Sequence, residues 1–147
     1  MASEYKLLVD TNVLLDYAVV TRPEHTIAAQ LFESAAACPN VALMVLVSSL
    51  KDAYYIMCRA YGSEATARDV LKRVSETLLM VVDLLAVYGM KAFVSDEPDF
   101  EDGLVRAAAE SLGVTAIVTR DEAAFLGSSI EVMRPKEATA FIERLGS

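Results

Sequence analysis

YKLLVDTNVLLDY, Tyr5 to Tyr17, decides how this chain folds. Tyr5 to Val9 is a short apolar run of the kind that suits a strand buried on both faces of a parallel sheet. Asp10 closes the run, and from Thr11 to Val20 the sequence reads as a helix carrying Leu14 and Leu15. A strand that passes almost directly into a helix is the pattern from which covered parallel sheets are built.

The rest of the chain repeats the alternation. Pro23 is suited to the first turn of a second helix that extends to about Ala37, with Ile27, Leu31 and Phe32 on one face, before Cys38, Pro39 and Asn40 end it. Val41 to Val47 reads as a second strand, and Ser48 or Ser49 is placed to cap a helix from about Leu50 to Tyr61. Gly62 breaks that helix, and Ser63 opens another that runs to about Thr77. Leu79 to Val82 predicts a third strand, Leu84 to Val94 an apolar helix, and Phe100 to Leu112 a helix closed by Gly113. Thr115 to Val118 and Ile130 to Met133 are the last two strands, and Pro135 starts a helix to about Leu145. The expected architecture is a single domain over residues 1–147, a three-layer α/β/α sandwich around a parallel sheet of five strands.

Composition narrows the class. A chain of 147 residues with 54% hydrophobic side chains and few prolines and glycines has the makeup of a globular protein. Asp10, Asp16, Lys51 and Asp52 interrupt the apolar runs before any reaches bilayer-spanning length, and the N-terminus lacks the pattern of a signal peptide, so a cytoplasmic protein is expected. Cys38 and Cys58 are too few for a disulfide framework or zinc site, and the lone His25 reads as structural. The net charge of −8 excludes general electrostatic grip on nucleic acid, but carboxylates gathered to hold cations count as negative only in the unloaded protein.

Parallel strands share a direction, and ligands bind such sheets at the carboxyl ends of the strands. Asp10 follows the first strand directly, Asp121 follows the fourth, and Asp52 is in the first turn of the helix after the second. Asp102 begins the helix before the fourth strand, inside SDEPDFEDGL, where Asp96, Glu97, Asp99, Glu101 and Asp102 crowd together. Taken singly, each acid has an ordinary explanation. SLKD and DFED both match capping boxes, Asp10 suits a helix cap and Asp121 a turn. Taken together, converging carboxylates raise one another's pKa unless a hard divalent cation, Mg2+ or Mn2+, sits among them. Such a site suits phosphodiester hydrolysis.

VDTNVLLD (Val9 to Asp16), SSLKDAYYI (Ser48 to Ile56), DFEDGLVRAAAESLG (Asp99 to Gly113) and IVTRDEAAF (Ile117 to Phe125) together resemble the PIN domain, in order and spacing, over essentially the whole chain. The resemblance implies a metal-dependent nuclease acting on RNA, of which many small bacterial examples are toxins of VapC type restrained by a cognate antitoxin. Matched by motif, the family's acids fall on Asp10, Asp52, Asp102 and Asp121, with Asp10, Asp102 and Asp121 as metal ligands. Asp52 stands where the family usually has glutamate, one methylene longer. Asn12 and Thr119 fall on positions that support the acids, and Asp99 is a reserve carboxylate one turn from Asp102. The implied reaction is hydrolysis of RNA by a water activated at the metal, with Arg22, Lys51 and Arg120 as candidates for phosphate contact.

Two other readings are weaker. Asp10 with Asn12 faintly resembles a phosphatase with a nucleophilic aspartate, but position 12 lacks the second aspartate and no suitably placed lysine motif follows. A phosphoacceptor receiver would carry its aspartate after a middle strand, where Val47 is followed by Ser48. The stronger alternative is a PIN-fold binding or regulatory module without catalysis, favoured by Asp52 and the acidic surface. The apolar faces of residues 23–37 and 63–77, with Tyr54, Tyr55, Met57 and Tyr61 as exposed bulk, predict a homodimer. Asp99 is read as a helix cap, and Asp96, Glu97 and Glu101 as solvated.

Overall fold

A computed structural model describes residues 3–121 and 123–146. Its parallel five-stranded sheet has the order β3-β2-β1-β4-β5, in which β1 (Tyr5–Val9) occupies the centre, flanked by β2 (Val41–Leu46) and β4 (Ala116–Val118). β3 (Met80–Val82) and β5 (Glu131–Met133) form the edges. Leu7 pairs with Leu43 on one side and Ala116 on the other. The chain builds outward from β1 to β2 and β3, then returns past β1 to lay down β4. Strand order therefore reverses between β1 and β4, opening a crevice at their carboxyl ends.

Alternation along the strands makes two cores. Leu7, Val9, Leu43, Val45, Ala116 and Val118 face one layer, and Leu8, Met44, Leu46 and Ile117 face the other. The first layer contains α1 (Thr11–Ala18), α2 (His25–Ala36), α3 (Val47–Tyr61), α4 (Glu64–Thr77) and α7 (Pro135–Gly146). The second contains α5 (Ala86–Phe93) and α6 (Phe100–Leu112). Gly103 lets these two helices approach closely, because a Cβ on it would lie 3.0 Å from the Ala92 Cβ. Among the described residues no helix is long and apolar enough to cross a membrane.

Local chemistry explains most helix ends. Ser63 accepts from the Thr66 N–H, Asp99 accepts from the N–H groups of Glu101 and Asp102, and Gly62 and Gly113 end α3 and α6 in the left-handed conformation. Four expectations require correction. The second helix starts at His25, so Pro23 precedes it. α3 starts at Val47 directly from the strand, with Leu46 at its cap position and no side-chain cap, so SLKD is not a capping box. Ser49 is instead buried within α3 and accepts from the Thr11 hydroxyl at 2.8 Å.

The fourth correction concerns exposed apolar surface. Met57 is fully buried, and α2 and α4 bury their apolar faces in the core. Tyr55 is exposed, as expected, and further exposed apolar side chains gather elsewhere: Met80 and Val81 on edge strand β3, Leu84 and Leu85 after it, and Val87, Met90 and Phe93 on α5. Phe93 stacks on Phe100 with ring centroids 4.8 Å apart.

Candidate active site

Asp10 ends β1 and caps α1, a double duty set by the abrupt passage from strand to helix. Its Oδ1 accepts from the Thr11 N–H at 2.8 Å, and its Oδ2 accepts from the Thr119 hydroxyl at 2.9 Å and the Asn12 amide at 3.3 Å. Thr119 follows β4, and its Oγ1 also accepts the Asp121 N–H at 3.1 Å. Asn12 Oδ1 accepts the Arg120 N–H at 3.4 Å. These bonds bridge the ends of β1 and β4 and fix the loop carrying Asp121, with Asn12 and Thr119 both bonded to the Asp10 carboxylate.

A cleft of about 660 Å³ opens beside this network, lined by Asp10, Asn12, Asp52, Asp99, Glu101 and Asp102, with Lys51 on its wall. Leu15, Val47, Leu84 and Phe100 supply apolar wall. Thus Asp10, Asp52 and Asp102 reach one cavity from β1, α3 and α6. Asp121 is exposed and stands outside that lining, yet its charge acts on both Asp10 and Asp102.

The electrostatics follow from burial and from this crowding. Asp102 is pushed up to about 7, first by burial and then by the charges of Asp10, Asp99 and Asp121. Burial also raises Asp10, opposed by the bonds from Thr119 and Thr11. Glu101 is raised by burial and then by Asp52 and Asp99, with Lys51 opposing. Each proton held in this way relieves repulsion that a bound cation would relieve instead. The side-chain donors of the cleft are oxygens, without thiol or imidazole, as hard cations prefer. Among the described residues no three His, Cys, Asp or Glu side chains are drawn into a preformed metal cage. The carboxylates ring the cleft instead, a spacing compatible with an ion that keeps several of its waters.

One acid of SDEPDFEDGL departs from the solvated role expected of it, whereas Glu101 is exposed, as expected, and also lines the cleft with Asp52. The Glu97 side chain is only 3% exposed; it pairs with Arg106 at 3.2 Å and accepts the Phe125 N–H at 3.2 Å. Asp96 is exposed, as expected, and also pairs with Arg106. Asp99 caps α6 and lines the cleft, so both of its expected places hold. The phosphate-contact candidates divide: Lys51 is in the cleft, whereas Arg22 and Arg120 both bind Asp16, a buried acid to which the sequence reading assigned no role. His25 packs internally, its Nδ1 3.0 Å from the Asp16 carbonyl oxygen.

Acids thus gather at the carboxyl edge of a parallel α/β sheet, beside the point where strand order reverses. The sequence matches the PIN domain model over residues 6–123, and the chain belongs to that family. Among similar solved structures is the Mycobacterium tuberculosis VapC20, a toxin that cleaves the sarcin-ricin loop. The match has TM-score 0.66 at 20% identity and covers 80% of this chain and 91% of that one. A toxin-antitoxin complex from Klebsiella pneumoniae gives TM-score 0.64 at 20% identity, covering 89% of this chain and 98% of the other. VapBC2 from Rickettsia felis, bound to a promoter DNA fragment, gives 0.64 at 12% identity, covering 88% and 98%. At these identities the likeness is one of fold. No curated protein is similar enough in sequence to match.

Proposed function

We propose that the chain is a Mg2+- or Mn2+-dependent endoribonuclease and the toxin of a toxin-antitoxin pair, acting in the cytoplasm. The observation that carries this reading is the convergence of Asp10, Asp52 and Asp102 on one cleft at the carboxyl ends of β1 and β2, beside the β1/β4 reversal, with Asp102 raised to about 7 by burial and then by its acidic neighbours. Family membership and the toxins among the similar folds support it.

Asp10, Asp102 and Asp121 would hold the metal, and Asp52 would complete its surroundings. When bound, the ion supplies a charge that acidifies an attacking water and steadies the phosphate. Thr119 and Asn12 fix the Asp10 carboxylate, while Asp99 holds the first turn of α6 and so aims Asp102. Lys51 meets a phosphate oxygen of the strand. The apolar surface of β3 and α5 is the face on which a second copy or a cognate antitoxin packs.

A non-catalytic PIN module is the second reading, favoured by Asp52 in place of the usual glutamate. Cleavage of several structured and unstructured RNAs with Mn2+, by the wild type and Asp10→Asn, separates the two. Metal-dependent cleavage lost in Asp10→Asn is the expected result; no cleavage of any RNA by the wild type would sink the nuclease reading.

A further inference from the structure

We propose that Asp16 is a positioning residue that holds Arg22 and Arg120 together as a clamp for the phosphodiester backbone of single-stranded RNA beside the carboxylate cleft. This rests on the nuclease reading of the same sheet edge. Asp16 is in α1, with its side chain 3% exposed. Its Oδ1 accepts from Arg22 Nε at 2.9 Å and its Oδ2 from Arg120 Nε. One carboxylate thus ties together α1, the connection to α2, and the loop after β4.

The charge balance is uneven. A single arginine neutralises a buried carboxylate, so the second leaves a net positive charge in a chain whose total is −8. Each guanidinium uses only Nε on Asp16, and among the described residues its remaining N–H donors have no other partner. Both side chains are partly exposed, at 30% for Arg22 and 36% for Arg120. Two planar donor forks held side by side match the oxygens of a phosphate.

The position is as informative as the charge. Arg120 stands between Thr119, which binds Asp10, and Asp121, and its N–H donates to Asn12 on the cleft wall. A strand gripped there passes next to the carboxylates. Those carboxylates repel a polyanion, so cations beside the cleft are needed to seat it.

The test is fluorescence anisotropy of a labelled single-stranded RNA oligonucleotide over a salt series in Mg2+. Every protein carries Asp10→Asn so that the RNA stays intact. Arg22→Gln and Arg120→Gln are each expected to weaken binding several-fold and to reduce the slope of log affinity against log salt by about 0.7. Asp16→Asn is expected to weaken binding too, although it makes the protein less negative, and Asp16→Glu to restore part of the loss. General electrostatics predicts the opposite sign for Asp16→Asn, and a purely structural role lowers the melting temperature without moving the slope.

Parent-like slopes in both arginine variants overturn the clamp, as does tighter binding by a folded Asp16→Asn. If Asp16→Asn does not fold, the arginine variants decide. A DNA oligonucleotide of the same sequence should show the same losses; losses confined to RNA overturn a backbone contact. Altered slopes in a protein whose wild type cleaves nothing leave the clamp standing and remove the nuclease reading. Cleavage with unaltered slopes does the reverse.

Discussion

The Thr119 hydroxyl donates to the buried Oδ2 of Asp10, joining the end of β4 to the end of β1 at 2.9 Å. Thr119→Val keeps the shape and removes that donor, and it also removes the acceptor of the Asp121 N–H. The variant should lose about 2 kcal/mol of stability, the usual cost of leaving a buried charged group short of a bond. Asp10 should then titrate still higher, because Thr119 is the largest influence lowering it. Urea unfolding, with NMR titration of Asp10, measures both. Unchanged stability would mean that solvent satisfies the Asp10 carboxylate.

Asp102 sets the pH dependence of the metal-free protein. Its folded pKa of about 7 is above the ordinary aspartate value of 3.8, so the proton stabilises the fold. That contribution is fully present below about 4 and lost as pH rises through about 7. Asp102→Asn should therefore stabilise the metal-free protein at pH 8 by about 1–2 kcal/mol, a figure reduced for solvent screening, and much less at pH 5. Thermal unfolding of both proteins across that range reads the difference. A gap that does not change with pH rules the repulsion out.

Mn2+ should replace the proton. Adding it at pH 8 is expected to raise the melting temperature of the wild type, because binding to the folded state alone stabilises it. The rise should shrink in Asp10→Asn and Asp102→Asn and persist in Lys51→Ala. Equal rises in all four proteins would place the ion elsewhere.

Gly103 makes a steric prediction. A Cβ there meets Ala92 at 3.0 Å, so Gly103→Val must push α6 away from α5 and carry Asp102 with it. A cost of about 2–3 kcal/mol is expected from overpacking. Asp102 should also titrate lower as it leaves its neighbours, which separates displacement from simple destabilisation. An Asp102 pKa unmoved in a folded variant would show that the helices part elsewhere.

Glu97→Ala should cost about 1–2 kcal/mol, because it leaves the Phe125 N–H without an acceptor and removes the buried one of the carboxylates that pair with Arg106, which keeps Asp96 and Glu110. Phe125 is buried with φ at 67°, a left-handed conformation that a phenylalanine holds only when its surroundings enforce it. Faster hydrogen exchange in residues 123–130 is the accompanying expectation. Loss of stability without that local change would assign Glu97 to the α5–α6 connection alone.

Features governed by near neighbours in sequence were legible there. Five apolar runs became five strands, and Ser63, Asp99, Gly62 and Gly113 ended helices as their chemistry requires. Asp10 and Asp52 reached one cleft because parallel strands carry their following residues to one edge, and Asp102 joined them because α6, which leads back to β4, begins at that edge. What escaped depended on distant partners. Glu97 looks solvated until Phe125, 28 positions on, meets it, and Asp16 looks like an ordinary helix residue until Arg120 arrives from 104 positions away. Glu101 is beside Asp102 in sequence, but only the folded cleft brings its charge to bear on Asp52. α3 hid its start because Val47 is as apolar as the strand before it, and no cap marks the change.

The bond from Thr119 to Asp10 spans 109 positions. During translation, Asp10 emerges early, but its hydroxyl partner and Asp121 do not exist until most of the protein has been made, and β4 must then slot beside β1. Pairing over such separations is among the slower steps of folding. Whatever chemistry the cleft performs therefore waits until β4 has paired with β1 and brought Thr119 to Asp10.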